Sequence, residues 1–331
     1  MKKHINIPVF IPHLGCPNDC AFCNQRSISG RTAFDISRVK TDIESALSTV
    51  EDCQAEIAFF GGSFTGIDRT LMTDLLDIAE GYVKDGRVAS IRLSTRPDYI
   101  NEEILEILKK YSVKTIELGI QSADDRVLSS SKRGHTYADT VRACALIKSY
   151  GFTLVGQMMI GLPSATSENE IMTAKAICDL GASEARIYPI VILKGTHLAY
   201  MAEIGEYAPL TENELIERSA DVLSVFRKNG VKVLRIGLHA GDELTSRDEI
   251  ASGFYHPAMG ELVEGELYYR EIKDKLKYIP ENGTVTVTVP RGCLSKAIGQ
   301  KGKNRERLKK EFGLKKIVFK ESVALKNIIV E

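Results

Sequence analysis

Cys16, Cys20 and Cys23 form a C-x3-C-x2-C triplet just after the first apolar run, Ile5–Ile11. Closely spaced cysteine thiolates are the usual ligands of iron–sulfur clusters. Three thiolates on one tight loop can hold three corners of a cubane while its fourth iron keeps no protein ligand. That open iron is where chemistry, beyond electron storage, becomes possible. The competing reading is a structural zinc site with His13 as the fourth ligand, since Cys3His sites are common. Either site needs elements that hold the loop in place.

The elements follow from the pattern of apolar runs. Strands are expected at Ile5–Ile11, Glu56–Phe60, Ser90–Ser94, Thr115–Ile120, Thr153–Ile160 and Glu184–Ile190. Helical patterns lie between them, at Val39–Val50, Arg69–Lys84, Asn101–Lys109, Tyr137–Ser149 and Glu168–Asp179. Several follow Asp, Asn or Ser, the residues that cap helix N-termini. Alternating β and α with near-continuous apolar strands predicts a parallel sheet with helices outside it. Six such units suit a partial (β/α)6 barrel, whose site forms at the C-terminal ends of the strands. The cysteine loop follows the first strand and so belongs to that face. A further helix, Thr211–Asn229, and a strand, Lys232–Ile236, precede a mixed region that ends near Tyr278.

The chain has 331 residues, enough for about two domains, and 44% hydrophobic content. Its zero net charge hides an asymmetry: Arg291–Lys320 holds eleven Lys/Arg against two Glu, a net of +9. Such a split points to a nucleic-acid-binding end or to a solvated helix face. Of the seven cysteines, Cys53, Cys144, Cys178 and Cys293 are scattered and read as small buried residues. That usage suits a reducing cytoplasm. The N-terminal apolar run is too short and Pro-broken for a signal peptide, and no stretch approaches a membrane span.

Three strand ends, and a segment just after the last of them, carry motifs in a specific order. Gly61-Gly62-Ser63 ends the second, Ser94-Thr95-Arg96-Pro97-Asp98-Tyr99 the third and Gly119-Ile120-Gln121-Ser122 the fourth, with Arg133-Gly134-His135-Thr136 shortly after. From His4 to about Leu193 the chain resembles the radical S-adenosylmethionine (radical SAM) superfamily, in particular the radical SAM domain of the Elongator catalytic subunit. The resemblance implies a 4Fe-4S cluster on Cys16, Cys20 and Cys23, with S-adenosyl-L-methionine on its open iron. It implies that Gly61 and Gly62 meet the methionine amino group, Arg133 its carboxylate and Gln121 the ribose. Phe22 matches an aromatic near the adenine, and Gly161-Leu162-Pro163 a turn that shapes the same pocket. Ser94 and Gln157 stand where relatives often carry acidic residues. The cofactor, more than the protein, dictates the chemistry. A one-electron donor such as flavodoxin or ferredoxin is implied.

The tail adds a second motif. Ile298-Gly299-Gln300-Lys301-Gly302-Lys303-Asn304 follows a strictly alternating strand, Thr284–Val289, and precedes a helix, Arg305–Glu311, and a strand, Leu314–Phe319. The I-G-x-x-G flanked by lysines resembles the KH module, whose glycine loop clamps single-stranded RNA. RNA contacts are therefore expected at Ile298, Gly299, Gln300, Lys301, Gly302 and Lys303. His239 and His256 are polar candidates near a substrate mouth, with hydrogen-bonded structural roles as the simpler reading.

The expected architecture is an α/β partial barrel over residues 1–200, its C-terminal extension over 201–278, and a small α+β KH-like domain over 279–331. Joined, the two motifs predict a cytoplasmic radical SAM enzyme that modifies tRNA or rRNA. Two alternatives stand beside it: a radical SAM oxidoreductase of a small molecule, related to anaerobic coproporphyrinogen oxidation, and an RNA-binding protein with a structural cluster. The absence of an acetyltransferase segment before Glu331 argues against a complete acetyl-CoA-dependent activity, and no second cluster motif supports methylthiolation.

Overall fold

The computed structural model describes residues 3–11, 14–16, 20–24, 34–49, 53–238, 248–277 and 283–331. His13 and His239 lie outside these residues. Seven parallel strands form one sheet in the order β1 (Lys3–Ile11), β2 (Cys53–Gly61), β3 (Ser90–Thr95), β4 (Val113–Gln121), β5 (Thr153–Ile160), β6 (Glu184–Pro189) and β8 (Lys232–Ile236). β7 (Ile192–Leu193) leaves this sheet and pairs antiparallel with β9 (Ile250–Ser252). The sheet curls into a half-barrel, one strand wider than the six units expected from sequence.

The helices are α1 (Val39–Ser48), α2 (Arg69–Lys84), α3 (Glu102–Lys109), α4 (Asp125–Ser130), α5 (Tyr137–Ser149), α6 (Ser167–Asp179), α7 (His197–Glu203) and α8 (Glu212–Lys228). All but α4 and α7, which share a separate apolar cluster with the loops after β5 and β6, cover the outer face. Capping fixes where many begin. Thr136, Thr166 and Thr211 each close a reciprocal box with the residue three positions on, satisfying donors that a helix start leaves orphaned. The short α4 and α7 carry too few turns to show a helical period, so sequence patterning does not reveal them.

The strands are two-faced rather than uniformly apolar. Ile57, Phe59, Ile91, Leu93, Ile116 and Leu118 point outward and are sealed under the helices. The alternate positions line the inside of the half-barrel with Glu56, Arg92, Glu117 and Arg186. Glu117 is fully buried. It accepts from Arg92 Nη1 at 2.8 Å, from Arg186 Nε at 2.7 Å and Nη2 at 3.0 Å, and from Gln157 Nε2 at 2.9 Å. Glu56 takes Arg92 Nε at 2.9 Å from the other side. Charges this deep persist only when paired and hydrogen-bonded.

After β9 the long helix α9 (Met259–Leu276) serves two cores. Met259 and Val263 pack on the barrel, while Tyr269, Ile272 and Leu276 pack on a second, smaller unit. That unit runs β10 (Thr284–Pro290), α10 (Leu294–Ile298), α11 (Lys303–Glu311), β11 (Lys316–Ser322) and β12 (Ile329–Val330). β10 pairs parallel with β11 on one side and antiparallel with β12 on the other. β11 starts two residues later than expected and runs on to Ser322, because its register against β10 spans Lys316↔Thr284 to Ser322↔Pro290. Among the described residues, no helix is long and apolar enough to cross a membrane.

Candidate active site

Backbone packing holds the cysteine loop. Gly62 N–H donates to Ile11 O at 2.7 Å, and Ser63 N–H to Leu14 O at 3.1 Å. A Cβ on Gly62 would stand 2.1 Å from Leu14 O, and one on Gly15 would stand 2.2 Å from Ser63 O. These contacts are between main chains, so neither side can yield. Further along, Ala21 N–H donates to Ser131 O, and Leu198 N–H to Ala21 O, which ties the loop to the end of α4 and the start of α7. Gly62→Ala should therefore cost about 1–3 kcal/mol and reduce the iron retained after reconstitution. Wild-type stability and iron content in that variant would contradict this packing role.

All ten residues expected to touch cluster or cofactor line one cavity at the C-terminal ends of β1 to β5: Cys16, Cys20, Cys23, Phe22, Gly61, Gly62, Ser94, Gln121, Arg133 and Gln157. Ser63, Thr95, Arg96 and Gly119 complete its wall, and its volume is about 130 Å³. Arg133 Nη1 donates to Cys20 Sγ at 3.3 Å and Nη2 to Gly119 O at 2.9 Å, while its buried Nε has no partner. Gln121 sits at φ 65° at an irregularity in the β4–β5 register, which turns its side chain into the cavity. Its Oε1 is buried and unpartnered. Gln157 gives its Nε2 to Glu117 and borders both the cavity and the space beside it. Phe22 packs with Leu162, Ile190 and Leu198. Gly161 is not among the lining residues; Glu170 and the Tyr207 hydroxyl brace its turn from outside.

The donor set fits an iron–sulfur cluster with a ligand beside it. Three thiols border a cavity that also holds an orphaned guanidinium N–H and an orphaned amide oxygen, and buried polar atoms of this kind call for partners. Among the described residues, no three His, Cys, Asp or Glu side chains gather around a single metal-ion position. A cubane does not require that, because each thiolate binds its own iron. No disulfide joins any of the seven cysteines.

Beneath this cavity lie residues that sequence reasoning left unassigned. Arg96 is 2% exposed. It forks onto Asp98 at 2.9 Å through Nε and Nη2, and Nη2 also donates to Arg133 O at 2.7 Å, fixing the main chain from which Arg133 projects. His135 is buried beside both arginines with no well-formed hydrogen bond on either ring nitrogen. Burial, then the charges of Arg133 and Arg96, push it down to about 4. Its proton is thus bound more weakly in the folded than in the unfolded chain. The stabilisation is present above the unfolded value of about 6.5 and is lost as pH falls toward 4, a decline of ~3 kcal/mol. His135→Leu should flatten that decline in an unfolding titration; an unchanged decline would assign it elsewhere.

The cavity opens into the half-barrel lumen, a space of about 440 Å³ lined among others by Phe10, Phe60, Arg186, Tyr188, Arg235 and Leu238. Phe22, Cys23, Gly61, Ser94, Gln121 and Gln157 border both spaces.

The tail motif stands apart from this cavity. Gly299 (φ 77°), Lys301 (φ 51°) and Gly302 (φ 79°) make a left-handed loop between α10, which Ile298 ends, and α11. Gln300, Lys301 and Lys303 are exposed. Gln300 Nε2 meets His256 Nε2 at 2.9 Å, and Lys303 Nζ reaches Glu212 at 3.1 Å and Asn213 at 3.2 Å. A cleft of about 330 Å³ separates the loop from α8 and α9. Docking accounts for part of the basic excess, since Lys296, Lys303 and Arg307 pair with Glu264, Glu212 and Glu266. Arg291, Lys301, Lys309, Lys310, Lys315, Lys316 and Lys320 are exposed and form no ion pair among the described residues. His256 also accepts from Ala258 N–H at 3.1 Å, so it braces the loop rather than facing the lumen.

Comparisons with known proteins match this geometry. The family model described as Radical SAM superfamily covers residues 10–177, and that described as Radical_SAM C-terminal domain covers residues 182–269. An uncharacterized protein of Methanocaldococcus jannaschii is 30% identical over 67% of this chain and 72% of its own length. The tRNA uridine(34) acetyltransferase of the same organism is 31% identical over 50% of this chain and 31% of its own. Elongator complex protein 3 of Saccharomyces cerevisiae is 30% identical over 42% of this chain and 26% of its own. The chain thus spans about a third or less of these two larger relatives. Among solved structures, the archaeal Methanocaldococcus infernus Elp3 with an N-terminal deletion superposes with a TM-score of 0.65 at 24% identity, over 83% of this chain and 64% of that one.

Proposed function

The chain belongs to the radical SAM superfamily, and from that premise we propose that it modifies RNA, tRNA or rRNA, which its C-terminal unit binds. When bound, a 4Fe-4S cluster and S-adenosyl-L-methionine supply a 5′-deoxyadenosyl radical that takes hydrogen from a substrate. The protein's own residues position and exclude. Cys16, Cys20 and Cys23 hold the cluster. Arg133 offers its unpartnered Nε to the methionine carboxylate, and Gln121 and Gln157 offer amide oxygens to hydroxyl donors. Gly61 and Gly62 keep the wall close to the amino group, and Phe22 closes the cavity against water. A flavodoxin- or ferredoxin-like protein in the cytoplasm serves as electron donor.

One observation carries the RNA reading: the left-handed glycine loop and the cofactor cavity share an end of the barrel. In a β/α layer each helix begins where the preceding strand ends, so Glu212 and Asn213 at the start of α8 lie at the C-terminal end of the sheet, the end that also carries the cysteine loop. Lys303 reaches both residues. Gln300 reaches His256, whose neighbour Tyr255 packs on Val191 and Leu193 at the lumen rim. On this reading a strand clamped at the loop runs toward the lumen side of the barrel. The strand–helix–GxxG–helix–strand order from β10 to β11 supports the KH-like reading, and the relatives whose names specify tRNA uridine support an RNA substrate. On this reading residues 1–200, 201–278 and 279–331 remain the working divisions, with the second half of α9 supplying the small unit's first helix.

The loop geometry selects the variant to test. A side chain on Gly299 would meet Asn304 at 2.8 Å, so substitution there disturbs the fold. Lys301 is exposed, and Lys301→Glu should weaken RNA binding uniformly across sequences and reduce the salt slope by about 1, with an unaltered unfolding midpoint. Unchanged affinity would remove the loop from the RNA path.

A further inference from the structure

The lumen wall holds two arginines paired across neighbouring strands. β6 and β8 run parallel with Ala185 opposite Val233, then Arg186 opposite Arg235. The register skips one residue there, so Leu234 has no partner across the strand pair. Side chains alternate along a strand, so an even register would set Leu234 beside Arg186 and turn Arg235 to the other face. The irregularity instead aims Arg235 inward beside Arg186, as bulges near functional sites commonly re-aim a side chain. Like charges set opposite each other across strands are destabilising, so the arrangement needs a compensating anion.

Among the described residues, only one of the two receives it from the protein. Arg186 is gripped by Glu117 through two hydrogen bonds and lies over the Phe60 ring, 5.5 Å from its centroid. Arg235 donates to main-chain carbonyls only, Nε to Gly237 O at 3.1 Å and Nη2 to Leu238 O at 2.9 Å. These hold its fork in place without cancelling its charge. Glu117 on the inner face is taken up by Arg92 and Arg186, and among the described residues no Asp or Glu borders the open space itself. Among the described residues, the lumen therefore presents a fixed cation with no carboxylate partner, beside aromatic surface from Phe10, Phe22 and Phe60.

We propose that Arg235, with Arg186 beside it, forms an oxyanion-binding subsite in the lumen, for a flat substrate group that carries a carboxylate or a phosphate. This deepens the proposed function and rests on it for the identity of the space as the substrate chamber. Guanidinium suits both anions, since its planar fork matches two oxygens at once. Glu117 acts as a positioning residue here: it orients Arg186 toward the lumen and Gln157 toward the cofactor cavity.

The test uses the reconstituted full chain and three probes, benzoate, phenyl phosphate and neutral benzamide, titrated calorimetrically. At least one anion should bind about tenfold or more tighter than benzamide, the size of one charge-assisted contact. Arg235→Gln should erase that preference and Arg235→Lys should retain part of it. Stronger benzoate binding assigns a carboxylate-bearing substrate, stronger phenyl phosphate binding a phosphate-bearing one. Equal binding of all three probes to the wild type, or unchanged selectivity in a folded Arg235→Gln protein, overturns the subsite. If Arg235→Gln does not fold, the wild-type and Arg235→Lys comparison decides alone. 5′-Deoxyadenosine formation is assayed in parallel: cleavage without anion selectivity removes only the subsite, and selectivity without cleavage removes only the radical reading.

Discussion

Cys20→Ala should fold, retain little iron after anaerobic reconstitution, and form 5′-deoxyadenosine only at background. Cys20 is almost fully buried and its Sγ accepts from Arg133 at 3.3 Å, so the substitution removes a ligand and one weak hydrogen bond. The fold should lose no more than about 1–2 kcal/mol, because the loop is held mainly by main-chain contacts at Gly15, Gly62 and Ala21. Iron and sulfide content, visible absorption and a denaturant titration of the same preparation separate the two effects. A variant that keeps a full iron complement would refute the ligand assignment. Zinc in the wild type at the expense of iron would refute the cluster itself.

Glu117→Ala should give the largest loss of stability of any single change in the half-barrel, about 3–5 kcal/mol, because it leaves buried Arg92 and Arg186 uncompensated. That is a large share of the 5–15 kcal/mol typical of a folded protein. The carboxyl also sets a pH dependence. Burial pushes it up, but the hydrogen bonds and charges of Arg186 and Arg92 outweigh burial and hold it below its ordinary value. Its contribution is complete above the unfolded value of about 4.3 and is lost as pH falls through the lower folded value. Glu117→Gln should therefore lose stability at neutral pH and show a shallower decline in that acid range. A Glu117→Ala protein within 1 kcal/mol of wild type would mean that water or a neighbouring acid replaces the carboxylate.

Much of this was legible in the sequence because the signals are local. The helix at Tyr137–Ser149, like β5, β8 and α2, has its expected bounds, and those expected from Glu168 and Thr211 begin one residue away, at Ser167 and Glu212, where Thr166 and Thr211 cap them. The cysteine spacing and the strand-end motifs led to residues that one cavity brings together. What escaped is non-local. β4 carries Glu117 between Ile116 and Leu118, and alternation of that kind reads as an ordinary strand until its inner neighbours are known. With hindsight, single charges at inner positions of Glu56, Arg92, Glu117 and Arg186 were the available signal. Arg235 was placed on its strand, but its inward aim was not legible, since the skipped residue at Leu234 is a property of strand pairing and not of composition. Gly62 shows the same limit. Sequence suggested an approach to ligand, and the structure adds a tight approach to Leu14 from a distant loop.

The most direct test of the central claim is to reconstitute the full chain anaerobically with iron and sulfide, add S-adenosyl-L-methionine and a strong reductant, and quantify 5′-deoxyadenosine with and without total cellular RNA. An RNA-modifying radical enzyme predicts formation that rises on adding RNA and falls back after ribonuclease treatment. Formation indifferent to RNA would contradict the RNA assignment and point to a small-molecule substrate, and no formation from a protein with a full iron complement would contradict the radical chemistry.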